Sequence, residues 1–109
     1  MKAQFAENLF DYNKTTYPNE DSAETYRKDL SPGTIEFIYS GEGDKIIMNY
    51  VCPCGCGRVR ALTARTGEKI PNHWQWNGNK EIPTLQPSIA CTQGCKWHGF
   101  LTNGEWITV

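Results

Sequence analysis

Six side chains in two clusters hold most of the reactive chemistry of this sequence. The first cluster is Cys52-Pro53-Cys54-Gly55-Cys56-Gly57; the second is Cys91, Cys95 and His98, spaced Cys-x3-Cys-x2-His. Thiolates and imidazole are the ligands zinc selects, four at a time in a tetrahedron. Two tight turns supplying two ligands each build such a site without distorting the strands that carry them. Glycine beside cysteine lets backbone amides turn toward sulfur, and proline pre-sets the turn. The ligand set this favours is Cys52 or Cys54, with Cys56, Cys95 and His98, and Cys91 in reserve. The Cys-x-Cys-x-Cys run differs from the commoner Cys-x2-Cys, so the choice among its three thiols stays open. The expected cofactor is Zn2+. Three thiolates and an imidazole around a divalent ion leave a local charge of about −1, which Arg58, Arg60 and Lys96 can offset.

Thiolate-rich zinc sites are usually closed and structural. Neither the His-x-Glu with Pro-Cys-x-x-Cys of zinc deaminases nor His-Glu-x-x-His occurs. A redox role for Cys54-Gly55-Cys56 lacks the βαβ setting of such motifs. No Ser–His–Asp spacing, phosphate loop or paired carboxylate stands out, so the sequence assigns no catalytic residue. His73, next to Trp74, reads as a half-buried polar side chain. Trp74 and Trp76 share one strand face, and Arg58 and Arg60 share another. Aromatic and basic residues of this kind can stack and neutralise a single strand of nucleic acid. They form a weak partner-binding candidate, because tryptophans also fill the cores of small sheets.

The elements that must position these groups are short strands. Ile35, Phe37 and Tyr39 alternate in 34–40, and 45–51 returns as the second arm of a hairpin across the Gly41–Asp44 turn. Residues 58–64 give a third strand, with Val59 and either Leu62 or Ala61 inward, and a turn follows over 66–69. Residues 73–76 give a fourth. Pro83 and Pro87 limit 83–87 to an edge or extended segment. Residues 88–91, 98–102 and 105–109 read as three more, the last two joined by Asn103-Gly104, a strong two-residue hairpin signal. Residues 34–109 therefore form a zinc-binding β domain, a small, mostly antiparallel zinc-stapled sheet or sandwich. Residues 1–33 read as an N-terminal arm, irregular or with one short helix over 22–30 capped by Asp21 or Ser22 and stopped by Ser31-Pro32-Gly33. Phe5, Leu9 and Phe10 have helical spacing for packing on the body.

Composition agrees with one small domain. The 109 residues carry eleven Lys plus Arg against twelve Asp plus Glu, and 39% of them are hydrophobic. That apolar share is below the usual ~45–50%, so a metal staple would add stability the core does not supply. The near-neutral balance argues against a dedicated phosphate-gripping protein. The arm holds four basic and six acidic residues and the body seven and six, so an acidic arm of −2 precedes a body of +1. No apolar run suits a signal peptide or a membrane span, which points to a cytoplasmic protein with no membrane partner.

The order Cys52-Pro53-Cys54-Gly55-Cys56-Gly57, Trp74 or Trp76, Pro83-Thr84-Leu85-x-Pro87-Ser88-Ile89, Cys95-x-x-His98-x-Phe100, Asn103-Gly104-x-x-Trp106 resembles a family of small, uncharacterised bacterial and bacteriophage zinc-binding proteins, often mislabelled ammonia monooxygenase. The resemblance covers roughly 34–109. It implies a cytosolic zinc-binding domain, phage- or prophage-encoded, and no reaction.

The function expected on these grounds is macromolecular binding: a phage accessory protein that inhibits or redirects a host defence or regulatory protein, with a host protein as partner. The alternatives are a nucleic-acid-binding zinc domain, and a small zinc-dependent hydrolase or component of a protein-modification system.

Overall fold

A computed structural model describes residues 1–10, 26–39, 45–67, 71–91 and 95–109. Eight strands form two sheets: β1 (Ile35–Tyr39), β2 (Lys45–Val51), β3 (Val59–Arg65), β4 (Trp74–Trp76), β5 (Leu85–Gln86), β6 (Ile89–Ala90), β7 (His98–Thr102) and β8 (Glu105–Thr108). The first sheet has the order β1-β2-β3-β4-β5 and the second β6-β7-β8. The protein is mainly β, with no helix among the described residues. The helix expected over 22–30 lies partly outside the described residues. In the part that is described, Tyr26 bridges to Arg58, and Lys28 and Asp29 form a turn. The Gly41–Asp44 turn, and Glu68 and Lys69 of the next, also lie outside.

Alternation writes the strands. In β2, Ile46 and Met48 point inward while Lys45 and Ile47 are half-exposed, as a sheet with one wet face requires. From Met48 to Val51 every residue is buried, because Leu9 and Leu30 cover the other face there, packing on Val51 and Val59. In β3, Leu62 and Ala64 face the shared core, Val59 is buried on the other face with Leu9 and Val51, and Ala61 is exposed. Ile46, Met48, Ala64, Leu85, Ile89 and Leu101, drawn from both sheets, are fully or almost fully buried in one shared core. Trp97 and Trp106 close it edge to face at 5.6 Å.

One pairing departs from the sequence expectation. β3 and β4 run parallel, with Ala64 opposite Trp74 and Arg65 opposite Gln75, so the first sheet is mixed. The Asn103-Gly104 hairpin forms as its residue types demand, with φ of 49° and 76° at its two central residues.

Residues 1–10 lie against both sheets. Lys2 bridges Glu105 of the second, and Phe5 bridges Ile35 of the first. The carboxylate of Glu36 accepts the Asn8 amide at 2.6 Å and the Leu9 amide at 3.3 Å. The buried Arg27 guanidinium donates to the carbonyls of Asn8 (2.7 Å) and Leu9 (3.2 Å) and chelates Asp29 at 2.8 and 2.9 Å. Its own backbone amide donates to Gly57 at 2.7 Å, which ties this corner to the cysteine turn.

Candidate active site and metal centre

The cysteine turn joins β2 to β3. The Cys52 amide donates to the Arg58 carbonyl at 2.8 Å, closing a loop whose reversal needs φ of 93° at Gly55 and 84° at Gly57. Opposite it, Cys95 precedes β7 by three residues. The sulfurs of Cys52, Cys54, Cys56 and Cys95 all lie within 4.8 Å of one another. Cys52 is 3.4 Å from Cys54 and 3.2 Å from Cys95. A tetrahedron with Zn–S bonds of about 2.3 Å has edges of about 3.8 Å, so the four thiols fit a thiolate-bound ion. The backbone amides of Cys56 and Arg58 donate to the sulfurs of Cys54 (3.3 Å) and Cys56 (3.5 Å), as they would to thiolates. These four residues could hold a metal ion.

The thiols are not equivalent. Burial pushes Cys52 and Cys91 up, and pushes Cys54 up to about 11. Burial acts the same way on Cys95, but a hydrogen bond from the Trp97 backbone amide and others from Cys54, Cys52 and Cys56 outweigh it and lower that thiol to about 6. Cys95 therefore becomes a thiolate at lower pH than Cys52, Cys54 or Cys91.

The structure brings together both of the alternatives, Cys52 and Cys54, with Cys56 and Cys95. Cys91 lies behind them, buried, 3.5 Å from the Cys52 sulfur. His98 is not in the group. Its Nε2 is 2.8 Å from Oγ of Ser88. Lys96, at φ 56°, turns the chain between Cys95 and β7. Strand alternation then sends Trp97 inward and His98 outward, so the Cys95-x2-His98 spacing places the two side chains at different sites.

Ser88 is a residue the sequence reading did not single out as chemical. With Pro87 it forms the connection between β5 of one sheet and β6 of the other. β6 pairs with β7 in the register Ile89–Gly99 and Ala90–His98. Carried one residue further, that register sets Ser88 opposite Phe100 and diagonal to His98, within reach of a long side chain. Ala90, His98 and Phe100 are exposed while Ile89, Gly99 and Leu101 are buried. Ser88 and His98 thus meet on the wet face of the second sheet.

Both partners are fixed by backbone. The Ser88 carbonyl accepts Nε1–H of Trp74 at 3.3 Å. The His98 carbonyl accepts the Val109 amide at 3.0 Å. Gly99 lets the Trp97 ring lie flat beneath the strand, since a Cβ there would collide with that ring and with the Ile107 carbonyl oxygen.

The remaining candidates fall elsewhere. Trp76 is buried, stacked on Phe37 at 5.3 Å, and donates to the Asn79 carbonyl. Arg60 stands opposite Tyr50 on β3 and lines a depression of ≈ 360 Å³ that also holds Trp74 and Ala90. Arg58 closes the cysteine turn through its backbone. His73 Nδ1 lies 3.2 Å from the Pro71 carbonyl. A larger depression of ≈ 600 Å³, between Phe5, Asn8, Glu36, Phe37 and Lys80, contains neither the Ser88–His98 pair nor a cysteine. No helix of the described residues is long and apolar enough to cross a membrane.

Comparison with curated proteins and with solved structures finds no match. A family model does match, over residues 22–109, a span that takes in the cysteine turn, Ser88 and His98. Its description is a bacterial ubiquitination-like system serine protease, and the chain belongs to this family, BubE.

Proposed function

We propose that this chain is a Ser–His hydrolase of a bacterial ubiquitination-like system, cleaving an amide or ester bond in a protein that carries or matures the system's modifier. The observation that carries the reading is the 2.8 Å separation between Ser88 Oγ and His98 Nε2. It is hydrogen-bond distance for a nucleophile and its base. The family description supports it independently.

In the acylation step Ser88 Oγ attacks the substrate carbonyl carbon while its proton passes to His98 Nε2. The bond to the leaving amine or alcohol then breaks, and His98 returns that proton to it. Water, deprotonated by the same nitrogen, hydrolyses the acyl-serine and restores both side chains. The imidazole must be neutral with its proton on Nδ1, so that Nε2 can accept.

Zn2+ is the metal that suits four clustered thiolates. Bound there by Cys52, Cys54, Cys56 and Cys95, it would supply folding energy and no reacting bond. Cys95 stands three residues before His98, so the cluster anchors the approach to β7, the strand that carries the base.

Among the readings open to the sequence, this one is nearest to the component of a protein-modification system, with serine as the reactive group. Inhibition of a host protein by a phage accessory protein, and binding of nucleic acid, are proposals that neither the Ser88–His98 contact nor the family description favours. The test is incubation with a protein carrying the system's ubiquitin-like modifier, followed by intact mass. Release of the modifier by the wild-type chain but not by Ser88→Ala supports the reading. Equal release by both contradicts it.

A further inference from the structure

The wet face around Ser88 is asymmetric. The β6–β7 register, carried one residue before Ile89, sets Phe100 across from Ser88 and His98 diagonally to one side. Beyond Phe100, away from His98, a groove of ≈ 340 Å³ opens between Gln75, Thr84, Gln86, Pro87, Phe100 and Thr102. Gln86 and Pro87, which line it, are the two residues before Ser88 in the chain. It continues as a second depression of ≈ 280 Å³ along Gln75, Asn77 and Thr84. No charged side chain lines either one. Phe100 is 40% exposed, a large ring left in water beside the groove.

We infer that this groove holds the acyl side of the substrate and that Phe100 is a specificity-determining residue, selecting an uncharged, apolar group next to the scissile carbonyl. The inference rests on the Ser88–His98 reading and deepens it. Its direction follows from proton transfer. The base that takes the Ser88 proton must give it to the leaving group, so the leaving group lies on the His98 side. The acyl substituent then extends away from His98, over Pro87 and Phe100. The two rings offer apolar contact, while the Gln86 amide and the Thr102 hydroxyl can pair with the substrate's polar groups. A buried carboxylate or ammonium would find no counter-charge there.

The test uses the full chain with p-nitrophenyl acetate and p-nitrophenyl hexanoate. In the step measured, Ser88 Oγ forms an ester with the acyl group and p-nitrophenol leaves with the serine proton. Release of p-nitrophenol gives the rate, and the mass of the acylated Ser88 peptide gives the site. The expected wild-type preference for hexanoate is about 10-fold or more in kcat/KM, since each methylene taken into an apolar pocket is worth a factor of this order. Phe100→Ala should bring the hexanoate-to-acetate ratio close to one. Ile107→Ala, which removes an exposed side chain opposite Phe100 but outside the groove, should keep the wild-type ratio. Equal rates for the two esters in wild type, or an unchanged ratio in Phe100→Ala, would overturn the inference and leave the Ser–His reading standing. Absence of acyl-Ser88 with both esters would instead overturn the Ser–His reading, and the inference with it.

Discussion

Ser88 and His98 are ten residues apart in the chain and 2.8 Å apart in space, joined across the β6–β7 ladder as diagonal neighbours on its exposed face. His98 is set by strand pairing with Ala90, while Ser88, in the two-residue connection just before β6, is held through its carbonyl by Trp74.

If the pair works as a unit, removing either member should cost about as much as removing both. Ser88→Ala, His98→Ala and the double variant are each expected to lower kcat/KM by roughly 10³-fold or more, without additivity. Single-turnover kinetics on the p-nitrophenyl esters checks this. Additive losses would show that the two residues act separately.

The four-cysteine site and the pair should separate on metal content. Cys54→Ser or Cys56→Ser is expected to lose the metal and with it the fold, because such binding contributes on the order of 10 kcal/mol. His98→Ala and Cys91→Ser are expected to keep one metal per chain. Elemental analysis with circular dichroism reads both. Metal loss in His98→Ala would return that imidazole to the ligand set.

Trp74 is a positioning residue in this account, since it touches Ser88 only through the backbone carbonyl. Trp74→Phe keeps a ring and deletes the donor. A lost neutral hydrogen bond of about 1 kcal/mol corresponds to a fall of about 5-fold, expected in kcat with KM unchanged. A change in KM alone would mark Trp74 as a substrate contact.

Gly99 separates His98 from Phe100 and has no room for a methyl group. Gly99→Ala should destabilise the fold by about 1–3 kcal/mol through overpacking, seen as a lower denaturant midpoint. Wild-type stability would show that Trp97 can move aside.

The strands were legible because alternation is local: 45–51 and 98–102 stand in the structure as their residue types predict, and Asn103-Gly104 turns between β7 and β8. The two cysteine clusters were legible as one site because soft ligands in tight turns have few other uses. The division into two sheets and the parallel β3–β4 pair were not, since strand order depends on which surfaces meet. The Ser88–His98 pair was hidden for a related reason. A serine after a proline has no spacing signature of its own, and the Cys95-x2-His98 interval imitates a ligand pair. Only the turn at Lys96 and the β6–β7 register show that the imidazole points at a hydroxyl.

The most direct test treats wild type and His98→Ala with a fluorophosphonate probe, maps the modified residue by mass spectrometry and measures bound metal in the same samples. The account predicts modification at Ser88 in wild type, its loss in His98→Ala, and equal metal in both. An unmodified Ser88 in wild type, or metal lost together with His98, would contradict it.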